Sequence, residues 1–166
     1  MINSQKIKQK IMEKKILEAA EDTALVTQIS KIMADSMLFY FKAHSFHWNV
    51  EGSNFNDYHA FFAGVYEAAF AKVDPLAEFI RQLGSYAPSS LSQLINTANL
   101  TELNSKPVDA MAMFRILKAD NENIMVGLSA GRRAADASGY TDIANFLDDM
   151  LGAQRKLSWM LDSLLK

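Results

Sequence analysis

The side chains best suited to bind a metal ion are three histidines and two acidic residues. His44, His47 and His59 lie close together in the sequence, and Asp74 and Glu78 follow further along. On a helix, a four-residue step places both acids on the same face. Imidazole and carboxylate groups together are the donors that suit iron or manganese. The chain has no cysteine, which excludes thiolate zinc sites, iron–sulfur clusters, disulfides and thiol nucleophiles.

The usual ligand motif of a di-iron helical bundle is absent. That motif is a Glu-x-x-His step on two of the helices. The residues three positions before the histidines are Phe41, His44 and Asn56. We therefore do not expect a di-iron site of the usual kind inside one bundle.

His59 and Asp74 are too far apart to share a metal ion within one chain. They are fifteen residues apart on what the pattern predicts to be one helix, which is roughly 22 Å at a rise of about 1.5 Å per residue. The two residues can meet only if a second copy lies antiparallel across a two-fold axis, which creates two equivalent sites. If the histidines and the acids act together, the protein is an oligomer.

The hydrophobic pattern predicts long helices and no strand, because apolar residues recur at three- and four-residue steps. The predicted long helices cover residues 22–50, 56–83, 108–137 and 141–165. Between the second and third helices lies a long connection with one short helix near residues 90–98. Gly84 is predicted to end the second helix, and Thr141 to cap the fourth. The fold class is therefore predicted to be all-α, a ferritin-like four-helix bundle with a long crossover carrying a short extra helix.

The composition indicates a folded domain in a soluble protein. The chain has 166 residues, of which 49% are hydrophobic and 22% charged, and this suits one domain. No run approaches the roughly 18 to 20 apolar residues of a membrane span, and the lysine-rich start lacks the apolar block of a secretory signal. We therefore expect a cytoplasmic protein without a membrane partner. The net charge of −2 argues against a globally basic nucleic-acid binder.

Residues 1–21 are predicted to form a lysine-rich arm ahead of a bundle domain at residues 22–166. Within the first fifteen residues, five lysines face one glutamate, which gives this stretch a charge of +4. These lysines are Lys6, Lys8, Lys10, Lys14 and Lys15. The arm is either a solvated, frayed first turn or a tail that binds an anionic polymer such as DNA. Ile7 and Ile11 lie four residues apart, which allows part of the arm to be helical and packed.

Taken together, these motifs resemble those of the Dps miniferritins, a family named for DNA protection in starved cells. The segment His47-Trp48-Asn49-Val50-Glu51-Gly52 is followed by His59, then by Asp74-x-x-x-Glu78 and Arg81-x-Leu83-Gly84. The resemblance covers the chain from about residue 22 to its C-terminus, including the short helix of the crossover. The complete set of motifs at these spacings is specific for the family, whereas any one motif alone is weak evidence.

The resemblance implies a hollow shell of twelve identical subunits, a dodecamer. Such shells oxidise Fe(II), preferentially with hydrogen peroxide, and store the ferric product as mineral, which protects DNA from hydroxyl radicals. By position, His47 and His59 come from one subunit and Asp74 and Glu78 from its two-fold partner, with iron as the bound metal. This placement agrees with the spacing argument. Nucleoid association is expected if the lysine-rich arm binds DNA.

Three further positions are weaker candidates. Asp136 and Asp142 lie near the turn where the family has a three-fold pore through which iron enters. An ordinary solvated acidic face explains these two residues equally well. His44, three residues before His47, can swing onto the same face as a further ligand. The alternative is that His44 is a surface or packing histidine.

The sequence departs from the family pattern at two positions. Ala63 stands where the family commonly has an aspartate, four residues after the second histidine. One carboxylate is therefore missing, and we expect a weakened second iron position and slower ferroxidation. Pro75 directly follows Asp74 and should kink the second helix. In the alternative, Asp74 is the N-cap and Pro75 the first residue of a new helix, which would make Asp74 a cap and not a ligand.

Two other functions stay open at this point. A shell with a degraded metal site would mainly coat DNA through its arms. A bundle with neither activity would serve only in protein interaction, and a monomeric mass would favour that interpretation.

Overall fold

In the computed structural model, the described part of the chain is built of helices and contains no strand. The structure describes residues 2–105 and 109–166, without the side chains of residues 2–6, 8, 9 and 13–21. The helices are α1 (Ile2–Asn49), α2 (Phe55–Phe70), α3 (Val73–Gln82), α4 (Leu91–Thr97), α5 (Ala110–Ala137) and α6 (Thr141–Leu164). Within these described residues, no helix is both long and apolar enough to cross a membrane.

Helix α1 lies at the centre of the fold. It packs against α2, α3, α4 and α5, while α6 packs on α5. Helices α1 and α5 are antiparallel, because Lys42 contacts Asp120 whereas Ile32, earlier on α1, lies beside Gly131, which is later on α5. The short turn at residues 50–54 reverses the chain, so α2 and α5 run parallel. The prediction of an all-α, ferritin-like bundle with a helix in its crossover is confirmed.

Aromatic rings and one glycine close the core. Phe46, Phe62 and Phe114 are fully buried, with ring centroids 5.7 Å apart for the first pair and 4.9 Å apart for the second. At Gly131 the helices approach so closely that a Cβ atom would lie 2.6 Å from Cδ1 of Ile32. Close packing of this kind holds α1, α2 and α5 in a fixed relation, which in turn fixes the histidines.

The predicted second helix is in fact two helices. Helix α2 ends at Phe70 and α3 begins at Val73, with a turn at residues 71–72. Pro75 has no N–H group to donate to the carbonyl of Ala71, four residues before it, so the chain is weakest where the break occurs. Asp74 is nevertheless not the N-cap, because Lys72 holds that position and Asp74 lies in the first turn of α3.

The first helix is longer than predicted. Helix α1 begins at Ile2, so the backbone of the arm continues the first helix of the bundle. Ile7 and Ile11 are each 52% exposed, so the arm is helical but these two residues are not packed away. Lys10 is exposed, whereas the side chains of the other arm lysines (Lys6, Lys8, Lys14 and Lys15) lie outside the described residues.

The residues that begin α5 and α6 differ from the prediction, whereas the glycine that ends α3 is the predicted one. Tyr140, not Thr141, precedes α6, and no side chain caps this helix, so the predicted cap is wrong. Asp109 caps α5 by accepting a hydrogen bond from the backbone N–H of Ala112 at 2.7 Å, a cap that was not predicted. Gly84 follows α3 with a φ of +79°, as expected for a residue that ends a helix.

A buried carboxylate ties α1 to the crossover. Asp35 is 2% exposed and accepts hydrogen bonds from the backbone N–H groups of Asn99 and Leu100 at 2.6 and 2.9 Å. The side-chain amide of Asn99 donates a third bond at 2.9 Å. These bonds satisfy a charge that would otherwise be costly to bury, and they fix the chain just after α4.

A buried ion pair lies further along α1. The Lys42 ammonium, 5% exposed, contacts the carboxylate of Asp120 on α5 and donates to the carbonyl of Thr101 at 3.0 Å. Burial raises the pKa of Asp120, and the hydrogen bond from Lys42 opposes that rise. We call Asp35, Lys42 and Asp120 the buried anchor. Each of the three residues has a bonding partner within the chain.

Candidate metal centre

His47 and His59 form a pair in which each ring hydrogen-bonds the backbone of the other residue. The Nδ1 atom of His47 lies 2.8 Å from the carbonyl oxygen of His59. The Nδ1 atom of His59 likewise lies 2.8 Å from the carbonyl oxygen of His47. The rings are stacked, with centroids 3.6 Å apart and planes 22° apart. The two helices thus hold both imidazoles in one orientation.

The hydrogen bonds determine which ring nitrogen is available. A carbonyl oxygen can only accept, so each Nδ1 atom carries the proton. In a neutral imidazole the Nε2 atom then has the free lone pair, the form that binds a metal ion. Backbone carbonyls commonly orient metal-binding histidines in this way. The pair therefore offers two imidazole donors whose tautomers are set by the fold.

Local structure explains why the two histidines meet. His47 lies in the last turn of α1, where the final carbonyl groups have no partner within the helix, and His59 supplies a donor to one of them. The connecting turn contains Gly52 with a φ of +121°, a conformation that glycine adopts without strain. This turn brings the start of α2 back beside the end of α1.

His44 lies in a cluster of aromatic rings. Its ring stacks on Tyr66 with centroids 3.9 Å apart, and it lies 4.2 Å from Trp48 and 6.0 Å from His47. Its Nδ1 atom is 3.2 Å from the hydroxyl of Tyr40. Desolvation lowers the pKa of His44, and the charge of nearby His47 lowers it further, so the ring is neutral near pH 7.

Aromatic side chains around the histidines make one continuous surface, the aromatic face. Its members are Tyr40, Phe41, Trp48, Phe55, Tyr66 and Phe70. Phe41, Trp48 and Phe70 are 58%, 57% and 54% exposed. The rings connect, since Phe41 lies 6.3 Å from Trp48, and Tyr40 lies 4.9 Å from Phe70. A contiguous exposed apolar patch of this kind marks an interaction surface.

The carboxylates Asp74 and Glu78 lie apart from the histidines. Both are exposed on α3, beyond the break at residues 71–72. Among the side chains that the structure describes, no three His, Asp or Glu residues are grouped so that they could hold a metal ion. One chain thus presents a histidine pair and an acidic pair that do not meet, as the spacing argument anticipates. Ala63 lies one turn after His59 and contributes no acid.

An apolar groove adjoins the aromatic face. It has a volume of 480 Å³ and lies between α1 and the crossover. Phe41 and Ser45 line one side, and Leu91, Ile95 and Leu103 line the other. Leu91 is 68% exposed. The uncovered surface near the histidines therefore extends from α2 across α1 to α4.

The two aspartates predicted to line a pore have different surroundings. Asp136 pairs with Arg132, which also donates to Asp148 at 3.1 Å. The hydrogen bond to Asp148 and the charge of Asp136 raise the pKa of Arg132. Asp142 is exposed in the first turn of α6. Arg132 offsets part of the negative charge at Asp136, while Asp142 presents its charge to solvent.

The aromatic surroundings of His44 were not predicted from the sequence. A signal was available on α1, because Tyr40, His44 and His47 follow one another at four- and three-residue steps, which places them on one helix face. The contribution of Tyr66 had no such signal, because it comes from a different helix and depends on how α1 and α2 pack.

Comparisons with known proteins agree with this architecture. The model of the ferritin-like domain family matches residues 26–166. The DNA protection during starvation protein of Helicobacter pylori (strain J99) is 28% identical over 137 residues, which cover 82% of this chain and 95% of that protein.

Solved structures show the same agreement. The crystal structure of a Dps protein from Bacillus brevis has a TM-score of 0.84 at 26% identity, and the match covers 89% of this chain and 98% of the other. A Dps protein from Vibrio cholerae O1, described as a member of a broad superfamily of ferritin-like diiron-carboxylate proteins, has a TM-score of 0.85 at 25% identity. That match covers 89% of this chain and 92% of the other.

Proposed function

The chain belongs to the ferritin-like family and is a Dps protein, and from that premise we propose that it forms a ferroxidase and iron-storage shell. In this proposal Fe(II) is the substrate, and it is oxidised by hydrogen peroxide or oxygen at sites between two subunits. The ferric product is stored inside a homo-oligomer, a dodecamer as in the family that the motifs resemble. Removal of Fe(II) and peroxide together protects DNA.

The observation that supports this proposal best is the histidine pair. His47 and His59 are held by each other's backbone carbonyls so that both Nε2 atoms are available. Two neutral imidazoles bind a divalent cation but leave most of its coordination positions open. Carboxylates suit those positions when the cation is iron, and Asp74 and Glu78 are exposed and one helical turn apart.

A second copy of the chain supplies the carboxylates in this proposal. The aromatic face is an exposed apolar patch of the kind that marks an interaction surface, and an antiparallel copy across a two-fold axis would cover it. The same operation carries α3 of the partner towards the α1–α2 turn, so each pair of chains makes two sites. His47 and His59 of one subunit and the acids of its neighbour then bind iron at each site.

The chemistry divides between the iron and the protein. Fe(II) supplies the electrons for the oxidant, while the side chains hold the ion with a position open to peroxide or oxygen. Because Ala63 supplies no carboxylate, the second iron position is weak, and oxidation is slower than in a relative with the full ligand set. Asp136 and Asp142 attract Fe(II) towards the shell in this proposal, with Asp142 the stronger of the two because Arg132 offsets Asp136.

The test is rapid mixing of the assembled, iron-free protein with Fe(II) and hydrogen peroxide, followed by ferric absorbance. The His47→Ala/His59→Ala variant is expected to lose the fast phase, and so is Asp74→Asn/Glu78→Gln. Asp149→Asn is a matched control, since Asp149 is exposed on α6 and is expected to leave the rate unchanged. Oxidation by the original protein that is no faster than oxidation by the double histidine variant contradicts the proposal.

A second candidate function is DNA binding through the arm. The arm continues α1 as a helix, and its described lysine, Lys10, is exposed. Many copies of a weak cationic arm on one shell bind with avidity, although the acidic body opposes approach to phosphates. Deletion of residues 1–15 is expected to weaken DNA retardation in a gel-shift series at low salt. Equal, weak binding by full-length and truncated shells would show that the arm has only a structural role.

A further inference from the structure

We infer that Tyr40 and His44 act as a pair that supplies one electron and one proton during peroxide reduction at the adjacent iron site. This inference rests on the proposed function, because it needs Fe(II) bound at His47 and His59 and hydrogen peroxide as the oxidant. It gives His44 the role of proton acceptor and not of iron ligand.

The need for a further electron donor follows from the electron count. Reduction of one hydrogen peroxide molecule to two water molecules takes two electrons and two protons. One Fe(II) ion supplies one electron, and one electron alone cleaves the O–O bond to hydroxide and a hydroxyl radical. Ala63 leaves the second iron position without its carboxylate, so a site with a single Fe(II) lacks the second electron.

The geometry identifies Tyr40 as the donor. Its hydroxyl lies 3.2 Å from Nδ1 of His44, and the neutral ring of His44 accepts the phenolic proton there. A phenol gives up an electron much more readily when its proton has an acceptor. In this tautomer Nε2 of His44 carries a hydrogen, so it has no lone pair for iron.

A series of neighbouring rings, one pair of them stacked, connects Tyr40 with His47 of the proposed iron site. His44 stacks on Tyr66 with centroids 3.9 Å apart, and Tyr66 lies 5.2 Å from His47. Tyr40 itself lies 5.5 Å from His44 and 6.2 Å from Tyr66. An electron that leaves Tyr40 therefore passes through neighbouring rings to the histidine that holds Fe(II).

The reaction balances as follows. The O–H bond of Tyr40 breaks, its proton moves to Nδ1 of His44, and one electron leaves to give a neutral tyrosyl radical. Fe(II) gives the second electron and becomes Fe(III). Peroxide takes both electrons and two protons from solvent, its O–O bond breaks, and two water molecules form, while His44 returns its proton to solvent. A later Fe(II) ion and a proton reduce the radical back to tyrosine.

The test uses the full-length assembled protein, loaded without oxygen with one Fe(II) per subunit and mixed with one equivalent of hydrogen peroxide. Samples frozen during the reaction are measured by electron paramagnetic resonance, and parallel samples contain a spin trap for hydroxyl radicals. The original protein is expected to give a tyrosyl signal and little trapped radical. Tyr40→Phe is expected to lose that signal and to give several-fold more trapped radical.

Two further variants separate electron donation from packing. His44→Gln keeps an acceptor but cannot hold the proton, so the tyrosyl yield should fall several-fold. Tyr58→Phe is the matched control, because the Tyr58 hydroxyl accepts from the Asn54 amide at 3.2 Å, which cannot take up a proton, and its tyrosyl yield should not change. Native mass and circular dichroism check that each variant is assembled and folded.

The outcomes distinguish this inference from the function on which it rests. A tyrosyl signal that persists in Tyr40→Phe overturns the inference, and so does iron oxidation in the original protein without any such signal. Both results leave the ferroxidase proposal intact. If the original protein oxidises Fe(II) no faster than His47→Ala/His59→Ala, the ferroxidase proposal fails and this inference fails with it.

Discussion

Helix α1 contributes residues both to the buried anchor and to the aromatic face beside His47. The polar groups of these two regions differ in how far they are buried and bonded. Asp35 and Lys42 are almost fully buried, and their hydrogen bonds and ion pair are completed within the chain. His47 has one ring nitrogen bonded to the backbone, and its neighbours Trp48 and Phe41 are more than half exposed. The first region is completed by contacts within the chain, whereas the second is completed by another copy only in the proposed function.

This difference separates residues that stabilise the fold from residues that serve the site. A buried charge is tolerated when its partners are close, and it is costly when one of them is removed. An exposed aromatic surface beside the available Nε2 atoms of His47 and His59 changes the free energy of folding little but favours association with another molecule. Substitutions in the two regions should therefore change different measurements, namely the stability of the chain and the size of the assembly.

The largest expected effect is on the buried anchor. Lys42→Met leaves the Asp120 carboxylate buried without its cation, and it should lower the free energy of unfolding by about 3 to 5 kcal/mol. Chemical unfolding at a fixed protein concentration measures this loss. The double variant Lys42→Met/Asp120→Leu removes both charges and should match the original stability or exceed it by about 1 to 4 kcal/mol.

The exposed Lys118–Asp162 pair provides the control for this experiment. Lys118 joins α5 to α6 at the surface, where solvent screens the interaction. Lys118→Met should leave the unfolding midpoint unchanged. A loss at Lys118 equal to the loss at Lys42 would show that burial is not what makes the anchor important.

Substitution on the aromatic face is expected to cost less free energy than substitution in the buried anchor, but it should clearly change the mass of the assembly. Trp48→Glu puts a charge on a surface that a second copy is proposed to cover, and it should weaken association by about 2 kcal/mol or more, roughly 30-fold. Native mass spectrometry at decreasing concentration measures the change. The unfolding stability of the separated chain should stay the same, and an intact assembly at every concentration would show that this face is not an interface.

The smallest expected effect is the pH response of His44. Burial among aromatic rings and the charge of His47 hold the pKa of His44 below its ordinary value. The unfolded chain therefore binds this proton more readily, so the stabilising contribution is complete above about pH 6.5 and is lost as the pH falls through the lower folded-state value. In iron-free protein, His44→Gln should flatten this part of the stability profile, and an unchanged slope would contradict the assignment.

Much of the fold could be predicted from the sequence, because it depends on local pattern. The helical periods gave α5 and α6 nearly to the residue, and Gly84 ends α3 with the positive φ that the prediction requires. The two separate helices α2 and α3 were predicted as one, since the effect of Pro75 was expected as a kink and not as a break. The cap at Thr141 was wrong because short polar residues near a helix start do not always form the bond.

The candidate ligands could be named from the sequence and stay a prediction, whereas their surroundings could not be predicted. The types and spacing of His47, His59, Asp74 and Glu78 indicated two separated pairs, and the structure keeps them apart. The reciprocal bonds between the two histidines depend on how the turn at Gly52 brings two helices together. The stacking of His44 on Tyr66 likewise joins side chains from different helices, which no pattern along one helix reveals.

The most direct test of the account is complementation between two inactive variants. Chains with His47→Ala/His59→Ala are unfolded, mixed in equal amounts with Asp74→Ala/Glu78→Ala chains and refolded together, and tight Fe(II) binding is then counted. If each site takes histidines from one chain and acids from its two-fold partner, each mixed pair has one complete site, and about a quarter of the original binding returns. No recovery in a correctly assembled mixture, or full binding by either variant alone, would contradict the shared site.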